Sequence, residues 1–186
     1  MGSVRNPRFP EQRQISVYKP LLLDVIDSIE SFIRENSLQP VNYNIELKTK
    51  ASTDTLFHPV PAEFSELVYD LISEKQLWNR VTIQSFDFRT LQYFHAKHPE
   101  VKLALLIENE LSWRSNIDSL GFIPDIYSSY YRLLSQKKVE EIQGSGMKVI
   151  PWTVNEISEI NKVLAWEVDG IITDYPDRAL NATNRK

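Results

Sequence analysis

Strand-like and helix-like segments alternate along this chain, and that alternation narrows the fold more than any other feature. Lys102-Leu103-Ala104-Leu105-Leu106-Ile107 is a near-continuous apolar run, the pattern of a strand covered on both faces and therefore of parallel pairing with helical crossovers. Tyr43-Asn44-Ile45-Glu46-Leu47-Lys48 alternates strictly instead, with Ile45 and Leu47 on one face and Asn44, Glu46 and Lys48 on the other. Val81-Thr82-Ile83-Gln84-Ser85-Phe86, the short Asp125-Ile126-Tyr127, residues 148–154 and residues 169–174 bring the count to about six strands. Helix patterns lie between them. Over 19–35, Leu22, Val25, Ile26, Ile29 and Ile33 draw one apolar stripe that Pro20 opens, and Phe64, Leu67, Val68, Leu71 and Ile72 do the same over 61–77. The expectation is an α/β domain spanning 1–186, led by a loop or lid segment over 1–18 that has no apolar periodicity.

About six strands suit a doubly wound sheet, whereas a (β/α)8 barrel takes about 250 residues and two strands more. Only 5 glycines occur, with no G-x-G-x-x-G and no G-x-x-x-x-G-K-[ST], so a phosphate cradle for nucleotides has no support. Lys+Arg number 21 against Asp+Glu 25, a net charge of -4 without the basic footprint of a nucleic-acid binder. The absence of Cys removes disulfides, thiolate zinc sites and a cysteine nucleophile. No run of about 18 apolar residues exists and the N-terminus has no signal core, so neither a membrane span nor a signal peptide is expected in this chain. The cytoplasm is then the default compartment unless an export signal lies upstream.

Four places carry chemistry. Glu46 and Lys48, two residues apart, set a carboxylate and an ammonium on one face of a strand, where burial is costly unless each has a partner. They read either as a solvated edge or as a metal or phosphate site. Asp87, Asn155 and Asp174 follow strands and read as helix caps, although in a parallel sheet these carboxyl ends are also where ligands bind.

Asn44-Ile45-Glu46-Leu47-Lys48, Val81-Thr82-Ile83-Gln84-Ser85-Phe86-Asp87, Pro151-Trp152-Thr153-Val154-Asn155 and Val168-Asp169-Gly170-Ile171-Ile172-Thr173-Asp174-Tyr175-Pro176 together resemble the successive strand motifs of the glycerophosphodiester phosphodiesterases. Asn6-Pro7-Arg8-Phe9-Pro10-Glu11-Gln12 and Thr55-Leu56-Phe57-His58-Pro59 are similar to bacterial members. The resemblance implies a TIM-type (β/α)8 barrel lacking its first two β/α units. It also implies hydrolysis of a small-molecule glycerophosphodiester to sn-glycerol 3-phosphate and an alcohol, with a divalent cation, Ca2+ or Mg2+, and two histidines as acid and base. By the same resemblance Glu46 is a carboxylate ligand of the ion, Lys48 steadies the substrate phosphate, and Trp152 and, more weakly, Phe86 line the pocket.

The histidine motifs of the family's first two strands are expected to precede residue 1. His58 is followed by Pro59, His95 by Ala96 and His98 by Pro99, so none stands in either motif and no catalytic residue is assigned. Two alternatives accompany the hydrolase reading: a non-catalytic relative that binds a phosphate ligand or a partner, and a fragment made by a gene-model error. Open sheet edges would favour self-association.

Overall fold

The computed structural model describes residues 3–10 and 12–183, in two compact units, Met1–Val41 and Asn42–Lys186. In the first unit, residues 12–21 hold neither helix nor strand, and α1 (Leu22–Glu35) follows. Its start lies two residues after Pro20, with Leu21 in extended backbone. Ile26, central to the apolar stripe, is buried, and Phe32, off the stripe, is exposed.

The second unit runs β1 (Tyr43–Glu46), α2 (Pro61–Glu74), β2 (Val81–Ser85), α3 (Phe88–Lys97), β3 (Lys102–Ile107), α4 (Trp113–Leu120), β4 (Ile126–Ser129), α5 (Gln136–Gln143), β5 (Lys148–Val149), α6 (Ile157–Ala165) and α7 (Pro176–Thr183). The five strands form one sheet in chain order, every neighbouring pair parallel. Consecutive β/α units produce this order, in which each strand lies beside the one before it.

Register divides the sheet into two faces. Ile83 pairs with Leu103, and Leu105 with Tyr127, which pairs with Val149; all five are buried. The opposite face carries Asn44, Thr82, Gln84, Ala104, Ser128 and Ile150, which line a cavity of about 590 Å³. Four of these six, Asn44, Thr82, Gln84 and Ser128, are polar where a closed barrel is ordinarily filled with branched apolar side chains; Asn44 donates to Gln84 on the neighbouring strand at 2.8 Å.

Local signals place the helices. The Asp87 carboxylate accepts the Arg89 N–H and caps α3, Ser112 and Ser135 cap α4 and α5, and α4 ends at Gly121, whose φ of 85° suits glycine. The expected sixth strand over 169–174 is not regular. Asp169 N–H still donates to the Val149 carbonyl, Ile172 N–H to Pro151, and Val154 N–H to Ile172. Pro151 has no N–H to give on the side that faces this segment, so the ladder toward 169–174 is broken there and five strands remain, while Ile150 and Trp152 N–H still donate to the Tyr127 and Ser129 carbonyls of β4. Asn155 also departs from expectation. Glu156 holds the N-cap position of α6, while Asn155 accepts from Asp174 N–H at 2.9 Å and from Thr173 Oγ1 at 3.1 Å and donates to the Asp174 carboxylate at 2.8 Å. Its side chain ties the segment after β5 to residues 173–174.

Candidate functional site

The carboxyl ends of the strands converge. Glu46 closes β1, Phe86 follows the last residue of β2, Glu108 the last of β3 and Tyr130 the last of β4, while Trp152 lies three residues past β5. Side chains alternate across a strand, so Glu46 and Phe86 continue the Asn44 and Gln84 face, and Glu108 continues that of Ala104. Glu46, Lys48, Phe86 and Glu108 line one cavity of about 540 Å³. Phe86 joins it to Trp152 by an edge-to-face contact, centroids 5.4 Å apart at 87°, and Trp152 lies 5.6 Å from Tyr130. The Trp152 indole N–H donates to the Ser128 carbonyl at 2.9 Å, which fixes the ring plane.

Glu46 and Lys48 are an ion pair at 3.2 Å, with side-chain exposures of 22% and 79%. The carboxylate is recessed and the ammonium stands at the rim in water, so the expectation of both charges in one interior holds for Glu46 alone. Such a half-exposed pair is worth roughly 0–1 kcal/mol, and the ammonium is cheaply diverted to another anion.

The segment after β1 is fastened to the end of β2 by buried polar groups. Ser85 Oγ donates to the Leu47 carbonyl at 2.7 Å and accepts from Asp87 N–H at 3.0 Å. Thr49 Oγ1 donates to Asp87 Oδ2 at 2.8 Å. Arg89 lies between two carboxylates, Nη2 to Asp87 Oδ2 at 2.7 Å and Nη1 to Asp54 Oδ2 at 2.6 Å. The guanidinium hydrogen bond holds the Asp54 carboxyl below its ordinary value. Burial pushes Asp87 up, but bonds from Arg89 and Thr49 outweigh it and leave that carboxyl lowered as well. The backbone carrying Lys48 is thereby fixed.

None of the histidines lines this cavity. Lys50 N–H donates to His58 Nε2 at 3.0 Å; a backbone N–H only donates, so Nε2 accepts and the proton is on Nδ1, 2.8 Å from the Pro59 carbonyl. His58 thus holds its own loop together. His98 donates to Glu66 at 2.9 Å and stacks on Tyr69, and His95 stacks on Phe122 at 3.9 Å. Among the described residues no group of three or more His, Asp and Glu side chains is placed to hold a metal ion. Hard divalent cations take about six to eight oxygens, so Glu46 and Glu108 do not by themselves fit such a site.

Glu46, Lys48 and Phe86 therefore meet in one cavity, and Trp152 reaches it through Phe86. Glu108 and Tyr130 were not anticipated. For Glu108 the signal was available: counting alternate residues along β3 through Ala104 and Leu106 ends on Glu108 at the strand's carboxyl end.

A model of the glycerophosphoryl diester phosphodiesterase family matches residues 3–178. The chain is 30% identical over 141 residues to a glycerophosphodiester phosphodiesterase of Bacillus altitudinis, covering 74% of this chain and 54% of that protein. It is 26% identical over 188 residues to one of Bacillus subtilis (strain 168), covering 95% and 59%. Its fold is similar to that of an Oleispira antarctica phosphodiesterase solved in complex with the product sn-glycerol-3-phosphate, with a TM-score of 0.69 at 21% identity over 89% of this chain and 61% of that one. A glycerophosphodiester phosphodiesterase from Parabacteroides distasonis ATCC 8503 is similar at a TM-score of 0.65 and 22% identity, over 84% and 64%. The chain spans about half the length of the curated relatives it matches.

Proposed function

Since the chain belongs to the glycerophosphoryl diester phosphodiesterase family, we propose that the cavity at its strand ends takes a glycerophosphodiester for hydrolysis to sn-glycerol 3-phosphate and an alcohol. The observation that carries this reading is Glu46 beside Lys48 in one cavity with Phe86. Lys48 meets the anionic phosphate, since its exposed ammonium exchanges a weak pairing with Glu46 for a charge-assisted bond to phosphate oxygen. Phe86 and Trp152 wall the alcohol side and keep water from it. Glu46 offers one oxygen donor to a divalent cation, Ca2+ or Mg2+, whose other donors are not among the described residues; no step is derived through that ion.

In the hydrolysis, water adds to phosphorus, the bond from phosphorus to the alcohol oxygen breaks, and one proton passes to the departing oxygen. The part assigned to this chain is to bind and orient the diester. Association of copies along β1, which has one strand neighbour among the described residues, belongs to the same reading. A sedimentation coefficient that rises with concentration would support it, and a constant monomer value would contradict it.

A second reading, a relative that binds a phosphate ligand without cleaving it, is favoured by the engagement of His58, His95 and His98 elsewhere. Phosphorus NMR of the purified chain with glycerophosphocholine and Ca2+ or Mg2+ separates the two. Appearance of the phosphomonoester signal, slowed about tenfold or more in Lys48→Met, supports hydrolysis; ligand binding with no monoester supports the second reading. Neither binding nor turnover contradicts both.

A further inference from the structure

Tyr127 faces away from the strand-end cavity, on the side of the sheet that carries its register partners Leu105 and Val149. It is 3% exposed, and its hydroxyl ends a chain of side-chain hydrogen bonds whose polarity is fixed from the far end. Leu111 N–H donates to Asn109 Oδ1 at 2.9 Å, so the Asn109 amide nitrogen is the group that meets Asn116 Oδ1, at 3.0 Å. The Asn116 amide nitrogen is thereby turned to Tyr127 and donates to its hydroxyl oxygen at 3.1 Å. Reversing either amide would set nitrogen against nitrogen. The Tyr127 oxygen therefore accepts, and its own proton has no acceptor among the described residues. A buried donor in that state calls for an acceptor in the space beside it. That space is a cavity of about 270 Å³ at the ends of β3 and β4, beside α4 and α5, which shares no lining residue with the strand-end cavity. Arg132 and Lys138 line it with Tyr127. Arg132 Nε donates to the Tyr131 hydroxyl and Lys138 Nζ to the Leu133 carbonyl, and neither is ion-paired among the described residues.

Three donors, two of them cationic, thus line one volume, the complement of a small oxyanion. Glu110 lines it as well and has no partner among the described residues. Its carboxylate repels an anion unless that anion brings a proton to donate. We infer that the cavity binds hydrogen phosphate, with Tyr127, Arg132 and Lys138 donating to its oxygens and its one P–OH donating to Glu110. Sulfate and a phosphomonoester dianion have the charge without the proton and set a lone pair against the carboxylate, so the site is one for free inorganic phosphate. It is separate from the cavity proposed for the diester, and neither reading rests on the other.

Calorimetric titration with inorganic phosphate, sulfate and methyl phosphate tests this at about pH 8, above the second phosphomonoester pKa of about 6. Every protein carries Lys48→Met, which takes the cation from the strand-end cavity, and to it are added Arg132→Met, Lys138→Met, Tyr127→Phe or Glu110→Gln. Arg132, Lys138 and Glu110 are exposed, so these variants are expected to fold, and unchanged thermal melts check this. Tyr127→Phe leaves the Asn116 amide without its acceptor; should it fail to fold, the two cation variants decide. Phosphate is expected to bind about tenfold or more tightly than sulfate or methyl phosphate. Arg132→Met and Lys138→Met should each weaken phosphate about tenfold, and Tyr127→Phe about threefold or more. Glu110→Gln should bring sulfate within about threefold of phosphate, because an amide offers a donor as well as an acceptor. Absence of phosphate binding, or equal affinity in both cation variants, overturns the proposal. Phosphate and sulfate binding alike to the protein that keeps Glu110 would show an unselective positive patch and overturn it too. None of these outcomes bears on hydrolysis, which the monoester signal of the unmodified chain reads separately.

Discussion

Arg89 lies between the carboxylates of Asp54 and Asp87 and joins the segment after β1 to the start of α3. Both carboxyls are lowered in the folded chain, so the stability they contribute is complete above the ordinary aspartate value of about 4 and is lost as the pH falls through their lower folded values. Urea unfolding at pH 7 and in the range below about 4 is expected to show a steep acid-side loss for the unmodified chain. Arg89→Met should be less stable at pH 7 with a shallower loss on acidification; parallel curves would contradict the linkage. Ser85 is fully buried and its hydroxyl satisfies both the Leu47 carbonyl and Asp87 N–H. Ser85→Ala is expected to cost about 1–3 kcal/mol in urea unfolding, because two backbone groups lose their partner; a change within 0.5 kcal/mol, roughly the noise level of surface substitutions, would count against this. Glu46, Lys48, Phe86 and Trp152 stand out in the sequence because they fall in short motifs at or just past strand ends, and the roles expected of them come from the family resemblance. The Arg89 to Asp54 bridge does not, since it spans 35 residues and no local pattern announces a tertiary pair. Glu108 follows an apolar run, so strand parity is the signal that marks it.

Strands and helices were easier to read than their junctions. The alternation at 43–48 and the apolar run at 102–107 gave β1 and β3 because a period of two and continuous apolarity follow directly from which faces are covered. The irregular stretch over 169–174 did not follow from pattern, because its apolar content fits a strand while the neighbouring proline removes the N–H that a ladder needs. Acidic side chains pin two strand starts: Asp125 Oδ2 accepts Leu103 N–H at 2.8 Å, and Asp169 Oδ2 accepts Val149 N–H at 2.8 Å. Asp125→Ala should lose about 1 kcal/mol in thermal or urea unfolding, with Asp125→Asn recovering most of it through its amide oxygen. Equal stability of the two variants would show that the bond does not hold the strand.

At the scale of the molecule, parallel strands in chain order give one end where every strand's carboxyl terminus opens, and the charged and aromatic residues gather at that end. This is the architecture of the (β/α) barrel phosphodiesterases whose fold it shares, and it was foreseeable from the alternation of elements together with the strand motifs. The placement of Lys48 at the rim of the cavity was not, because exposure depends on how far a side chain extends past the sheet and not on its parity. Titration of sn-glycerol 3-phosphate into the unmodified chain and into Lys48→Met tests most directly whether this cavity meets the substrate phosphate. Affinity should fall about tenfold or more in the variant, the loss of one charge-assisted bond. Equal affinity for both proteins would place the phosphate elsewhere and contradict the account.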